Sequence, residues 1–119
     1  MLRTMDCFFH TELVHIRRDI RRLERRLYAL YEDDNPCMAS DRALLAVNRK
    51  YLDRVETLSS HCNDLPAALK ICQGWLQDVQ RNHKRTPRGE TNWAALHELD
   101  YLTDLVERLQ EAMIETVRA

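Results

Sequence analysis

The sequence predicts an all-α protein: an antiparallel up-down-up-down four-helix bundle formed by a single domain over residues 1–119. Apolar residues recur at helical spacing in four separate stretches, each long enough for several turns. Helix breakers are scarce, with 2 Gly and 3 Pro, while 31% of the residues are charged, the mixture that long amphipathic helices need. No stretch shows the strict apolar/polar alternation of a half-buried strand. A three-helix bundle with a projecting helical arm is the alternative arrangement.

The first helix is expected from Asp6 to Tyr31. Its seam runs through Leu13, Ile16, Ile20, Leu23, Leu27 and Leu30 at spacings of 3, 4, 3, 4 and 3, and extends back to Phe9. Such a stripe must be buried against other helices. The acidic stretch Glu32-Asp33-Asp34-Asn35-Pro36 ends it, because acids oppose the dipole at a helix C-terminus and Pro36 cannot continue the helix. Ser40 is expected to cap the second helix, with Asp41 in its first turn and a stripe of Leu44, Val47, Tyr51, Val55, Leu58 and Cys62. Cys37 falls in the preceding loop.

Asn63-Asp64 forms a short turn, and Pro66 suits the opening turn of the third helix. That helix carries Leu65, Leu69, Cys72, Trp75 or Leu76, and Val79, and fades in the basic stretch from Arg81 to Arg88. Gly74 inside it suggests close approach of a neighbour. Pro87 and Gly89 stop the third helix, Thr91 or Asn92 caps the fourth, and the last seam is Ala95, Leu99, Leu102, Val106, Leu109 and Met113. Short connections favour antiparallel neighbours. Helices 1 and 4 are expected at about 40 Å and helices 2 and 3 at about 30 Å, so that the longer pair overhangs.

Charge is segregated along the chain. Residues 15–27 hold Arg17, Arg18, Arg21, Arg22, Arg25 and Arg26 against Asp19 and Glu24, whereas residues 90–119 hold seven acids against Arg108 and Arg118. A net charge of −1 argues against a general polyanion binder. The basic and acidic helices are expected to lie side by side or to face water. Arg18, Arg21, Arg22 and Arg25 fall opposite the seam of helix 1, where guanidinium forks suit a carboxylate or a phosphate. A solvated face, with Asp19 paired to Arg22, explains the same pattern. Arg81, His83, Lys84, Arg85 and Arg88 form a weaker basic cluster.

Val14, Tyr28 and Tyr31 on helix 1 and Leu105 and Ile114 on helix 4 lie beside their seams. If exposed together they make an apolar patch, and a homodimer through that helix pair. Phe8, Phe9, Tyr28, Tyr31, Trp75, Trp93 and Tyr101 are otherwise expected as core or bundle-end plugs. Cys7 and His10 share a helical face and His61-Cys62 ends helix 2 at the same end of the bundle, which makes these four a candidate zinc set. The neighbours His61 and Cys62 point about 100° apart, which weighs against it. Glu12 with His15, and His97 with Asp100, resemble half-sites of a di-iron bundle, but helices 2 and 3 carry no counterpart.

The seams are nearly free of charge, and neither a nucleophile elbow nor a glycine-rich loop is present. The expected role is therefore a small non-enzymatic interaction module, without cofactor, that binds a protein partner through Arg18, Arg21, Arg22, Arg25, Tyr28 and Tyr31. The acids of helix 4 form a second candidate surface, and a nucleic-acid-binding regulator using the arginine face is the alternative. No apolar run reaches the roughly 20 residues that span a bilayer. The opening MLRTMDCFFHTELVHI places acids and a histidine where a secretory leader needs an apolar core. With sparse, irregularly spaced cysteines, a reducing cytoplasm is the expected compartment.

Overall fold

The computed structural model describes residues 4–29, 37–84 and 92–118, and four helices account for nearly all of them: α1 (Thr4–Ala29), α2 (Cys37–His61), α3 (Leu65–Lys84) and α4 (Trp93–Arg118). They form a helical bundle measuring 50 × 32 × 23 Å. The seams read from the sequence are its interior. Phe9, Ile16, Ile20 and Leu23 of α1 meet Leu45, Val47, Tyr51, Val55 and Leu58 of α2, with Leu65, Ala68, Cys72 and Val79 of α3 and Leu102, Leu105, Val106 and Leu109 of α4. Leu13 and Leu27 are partly buried against this core. Leu30 and Tyr31, Glu32 to Pro36, and Pro87 to Thr91 lie outside the described residues.

Two helix starts follow the sequence. Asp64 Oδ1 accepts the Ala67 amide at 2.8 Å and Asn92 Oδ1 accepts the Ala95 amide at 3.0 Å, each satisfying a donor left over in a first turn. The start of α2 differs. It begins at Cys37 rather than after Ser40, and the added turn buries Met38. Ser40 is therefore inside the helix, where its Oγ meets His97 Nε2 at 3.0 Å instead of capping. At 25 residues α2 is nearly as long as the 26-residue α1 and α4, so α3, with 20, is the one short helix of the four.

Arg17 pairs with Glu56 and Arg26 with Asp41, so α1 and α2 run in opposite directions. Consecutive helices alternate in this way, but the bundle is not square. The α1/α2 and α3/α4 hairpins join mainly through α2 and α4, which run the same way: Ser40 meets His97, Lys50 meets Glu98 at 2.6 Å, and Tyr51 packs on Tyr101 with ring centres 5.0 Å apart. Trp75 of α3 stands edge-on to Tyr51 at 6.0 Å, completing an aromatic centre between α2, α3 and α4. The backbones of α1 and α4 approach at few points, and a groove separates them.

Three residues depart from expectation. Leu105 is 0% exposed and belongs to the core, because the α4 seam is wide enough to take in its flank. Gly74 admits no close neighbour: a β-carbon there would meet nothing within 4 Å. Trp93 remains partly exposed, stacked on His97 at 6.3 Å. Among the described residues no helix is long and apolar enough to cross a membrane.

Candidate interaction surfaces

At 100° per residue, Arg18, Arg21, Arg22 and Arg25 project opposite the buried stripe of α1, and all four are exposed. Tyr28 continues the row from its Arg21 edge, so Arg18, Arg21, Arg25 and Tyr28 follow one another at spacings of 3, 4 and 3. This is an outward-facing helical stripe, about 15 Å long at 1.5 Å per residue. Tyr28 is 86% exposed. Tyr31, expected on the same surface, lies outside the described residues.

The arginines divide by neighbour. Those flanking the seam are spent within the hairpin: Arg17 reaches Glu56 at 2.6 Å and Arg26 reaches Asp41 at 3.0 Å. Arg22 sits 3.4 Å from Asp19. Arg18, Arg21 and Arg25 meet no carboxylate among the described residues, and Arg21 Nε has only a long 3.4 Å bond to its own helix at the Arg17 carbonyl. Their exposed stems hold three cationic forks in water.

The acids of α4 do not neutralise them. Asp100, Asp104, Glu107, Glu111 and Glu115 point away from the α4 seam, exposed, without an ion pair among the described residues. Among the described residues, the one ion pair joining α1 to α4 has the opposite polarity, Arg108 of α4 on Glu12 of α1. The basic and acidic helices thus keep separate charged faces, contrary to a simple side-by-side neutralisation. The apolar patch expected across this pair is also broken up. Leu105 is buried, Tyr28 ends α1, and the 51% exposed Ile114 nears the end of the oppositely directed α4.

Glu12 is the polar residue that the seam pattern hid. Only 7% exposed, its Oε1 accepts both the Tyr101 hydroxyl at 2.8 Å and Arg108 Nη2 at 2.7 Å. Burial, and then the Glu12 charge, push the Tyr101 phenol well above its ordinary range, so Tyr101 stays a donor. The three residues close the floor of a groove of about 510 Å³, lined also by Thr11, His15, Ile16, Asp19, Asn48 and Asp104. Glu12 and His15 do share a site, but Arg108 occupies the carboxylate.

Among the described residues no three His, Cys, Asp or Glu side chains gather as a metal ion would require, and Cys7, His10, His61 and Cys62 are not assembled into a centre. Cys7 and His61 face solvent at their helix ends. Burial raises the Cys62 thiol, with Asp64 adding to it, and pushes Cys72 up to about 12, so the Cys72 thiol packs as an apolar group at neutral pH. No family model, curated protein or solved structure matches the chain.

Proposed function

We propose that this protein is a non-enzymatic interaction module whose α1 face, Arg18, Arg21, Arg25 and Tyr28, docks on an acidic helical surface of another protein. The observation that carries the reading is the cationic row itself, three exposed guanidinium groups without a carboxylate neighbour in the described chain, ending at Tyr28. Guanidinium forks match carboxylates spaced along a facing helix, and an exposed tyrosine beside them is the residue type that anchors interfaces. Arg22, held by Asp19, supports the edge of the row.

Register favours a different protein over a second copy. Glu12 lies level with residues between Tyr101 and Arg108. In a two-fold pair through α1 and α4 with its axis along the bundle, the arginine row would face the opening turns of the partner's α4, roughly 15 Å short of the centre of its acids. Free thiols at Cys7, Cys62 and Cys72 suit a reducing, cytoplasmic setting for such a module.

The test uses a synthetic amphipathic helical peptide with glutamates at i, i+3 and i+7, beside a scrambled peptide of the same composition. Calorimetry is expected to show saturable binding of the patterned peptide, weakened at least about ten-fold by Arg18→Glu/Arg21→Glu/Arg25→Glu. Equal binding of both peptides, or no change in the variant, overturns the reading. Duplex DNA bound at physiological salt more tightly than the peptide would favour a nucleic-acid partner instead, with affinity falling steeply as salt rises.

A further inference from the structure

The α1/α4 groove holds two buried polar side chains with atoms left over. Glu12 Oε1 takes both of its described donors, and Oε2 takes none. Asn48 of α2, 7% exposed, lines the same groove, and its amide makes no hydrogen bond among the described residues. It is not sealed away either, since neither polar atom of its side chain is among the fully enclosed atoms that lack a hydrogen bond. Burying an amide and a carboxylate oxygen without partners is costly, and here both border open space.

The other walls define what fits. Asp104 and Asp19 are its more exposed acids, so three carboxylates line the groove against the single guanidinium of Arg108, which Glu12 already holds, and Asp19 is shared with Arg22. His15 adds an imidazole at the mouth, Thr11 a hydroxyl, and Ile16 and the Tyr101 ring an apolar side. Arg108 Nε is enclosed and offers an occupant nothing. The volume of about 510 Å³ is far more than a water or bare ion needs and lies within the range of small-molecule sites.

We propose that this groove binds an organic cation, an ammonium or guanidinium head on an aliphatic stem, with the head on Glu12 Oε2 and the Asn48 carbonyl and the stem along Ile16 and Tyr101. The cationic head supplies the donors that both acceptors lack, and Asp104 adds a charge at the entrance. The same chemistry is found in a free polyamine and in a lysine side chain of a peptide. The site is independent of the outward arginine row, which projects from another face of α1.

The experiment is an NMR titration of the full chain, following the backbone amides of Glu12, Ile16 and Tyr101, which persist in both variants, and the Asn48 side-chain amide, with spermidine in one arm and the tripeptide Gly-Lys-Gly in the other. A saturable shift of these amides is expected, with Asn48→Leu weakening binding about ten-fold, the weight of a hydrogen bond to a charged group. Asp104→Asn, on the exposed rim, is expected to weaken it by a smaller factor and keeps the test readable if Asn48→Leu does not fold. Saturation by spermidine alone assigns the site to small amines, and saturation by the peptide assigns it to basic protein segments. No shift at these amides with either probe at millimolar concentration overturns the proposal. Shifts spread along the α4 acids and unaltered in both variants overturn it too.

Discussion

Tyr51 carries its hydroxyl into the centre of the bundle, fully buried and without a hydrogen bond of good geometry among the described residues. The Arg54 guanidinium stands over its ring at 5.6 Å, near enough to ease the ionised form without aligning on the oxygen. Burial, followed by the Glu98 charge, raises the phenol from 10.0 to about 12. The sign follows from linkage. The unfolded chain ionises first, so the contribution to stability is complete below pH 10 and is lost as pH climbs towards 12. Tyr51→Phe is expected to raise stability at neutral pH by up to about 1 kcal/mol, since an unpartnered buried hydroxyl is removed at constant shape. It should also make the alkaline loss shallower, which urea unfolding across that pH range would measure. Gly74→Ala is a second residue-level case. With open space around the site, only helix propensity changes, and a gain of about 1 kcal/mol in thermal or urea unfolding is expected. A loss would mean that a neighbour does approach there.

At the scale of elements, the helices were legible because burial follows the 3.6-residue period. The residues read as seams in α1, α2 and α4 are buried or partly buried wherever they are described. The cap at Asn92 was legible for a local reason, a short acceptor just before a helical run, and Asp64, read only as part of a turn, caps α3 in the same way. Ser40 offered the same signal, but burial of Met38 prolonged the helix beyond it. Periodicity assigns a face to each helix without naming its neighbour. The association of α2 with α4 depends on the mutual fit of Tyr51, Tyr101 and Trp75, residues far apart in sequence. Glu12 left a faint trace, three residues after Phe9 and four before Ile16, while Tyr101 and Arg108 lie seven apart on α4. Leu13 in the same turn supplied the expected apolar residue and hid it. These three side chains are the polar link between two helices whose backbones stay apart. Arg108→Met is expected to cost about 2 kcal/mol, measured by urea unfolding, because the buried carboxylate then keeps one donor instead of two. An unchanged midpoint would show that water replaces the guanidinium without penalty.

Across the whole molecule, charge is the property that folding leaves unresolved. The hairpin pairs Arg17, Arg26 and Arg49 with Glu56, Asp41 and Glu24, while among the described residues Arg18, Arg21 and Arg25 remain outside that network and Asp100, Asp104, Glu107, Glu111 and Glu115 of α4 remain outside any. The segregation was visible in the sequence, but its outcome was not, since side-by-side packing and separate faces give the same composition. Surface ion pairs contribute little to stability, so reversing the row should leave the fold intact and act on association alone. The most direct measurement is a charge exchange across the contact. Arg18→Glu/Arg21→Glu/Arg25→Glu is titrated by calorimetry with the helical peptide after its glutamates are replaced by arginines. Docking by this row predicts that the reversed pair binds while each singly reversed pair does not; failure of the doubly reversed pair, with both partners helical, would contradict it.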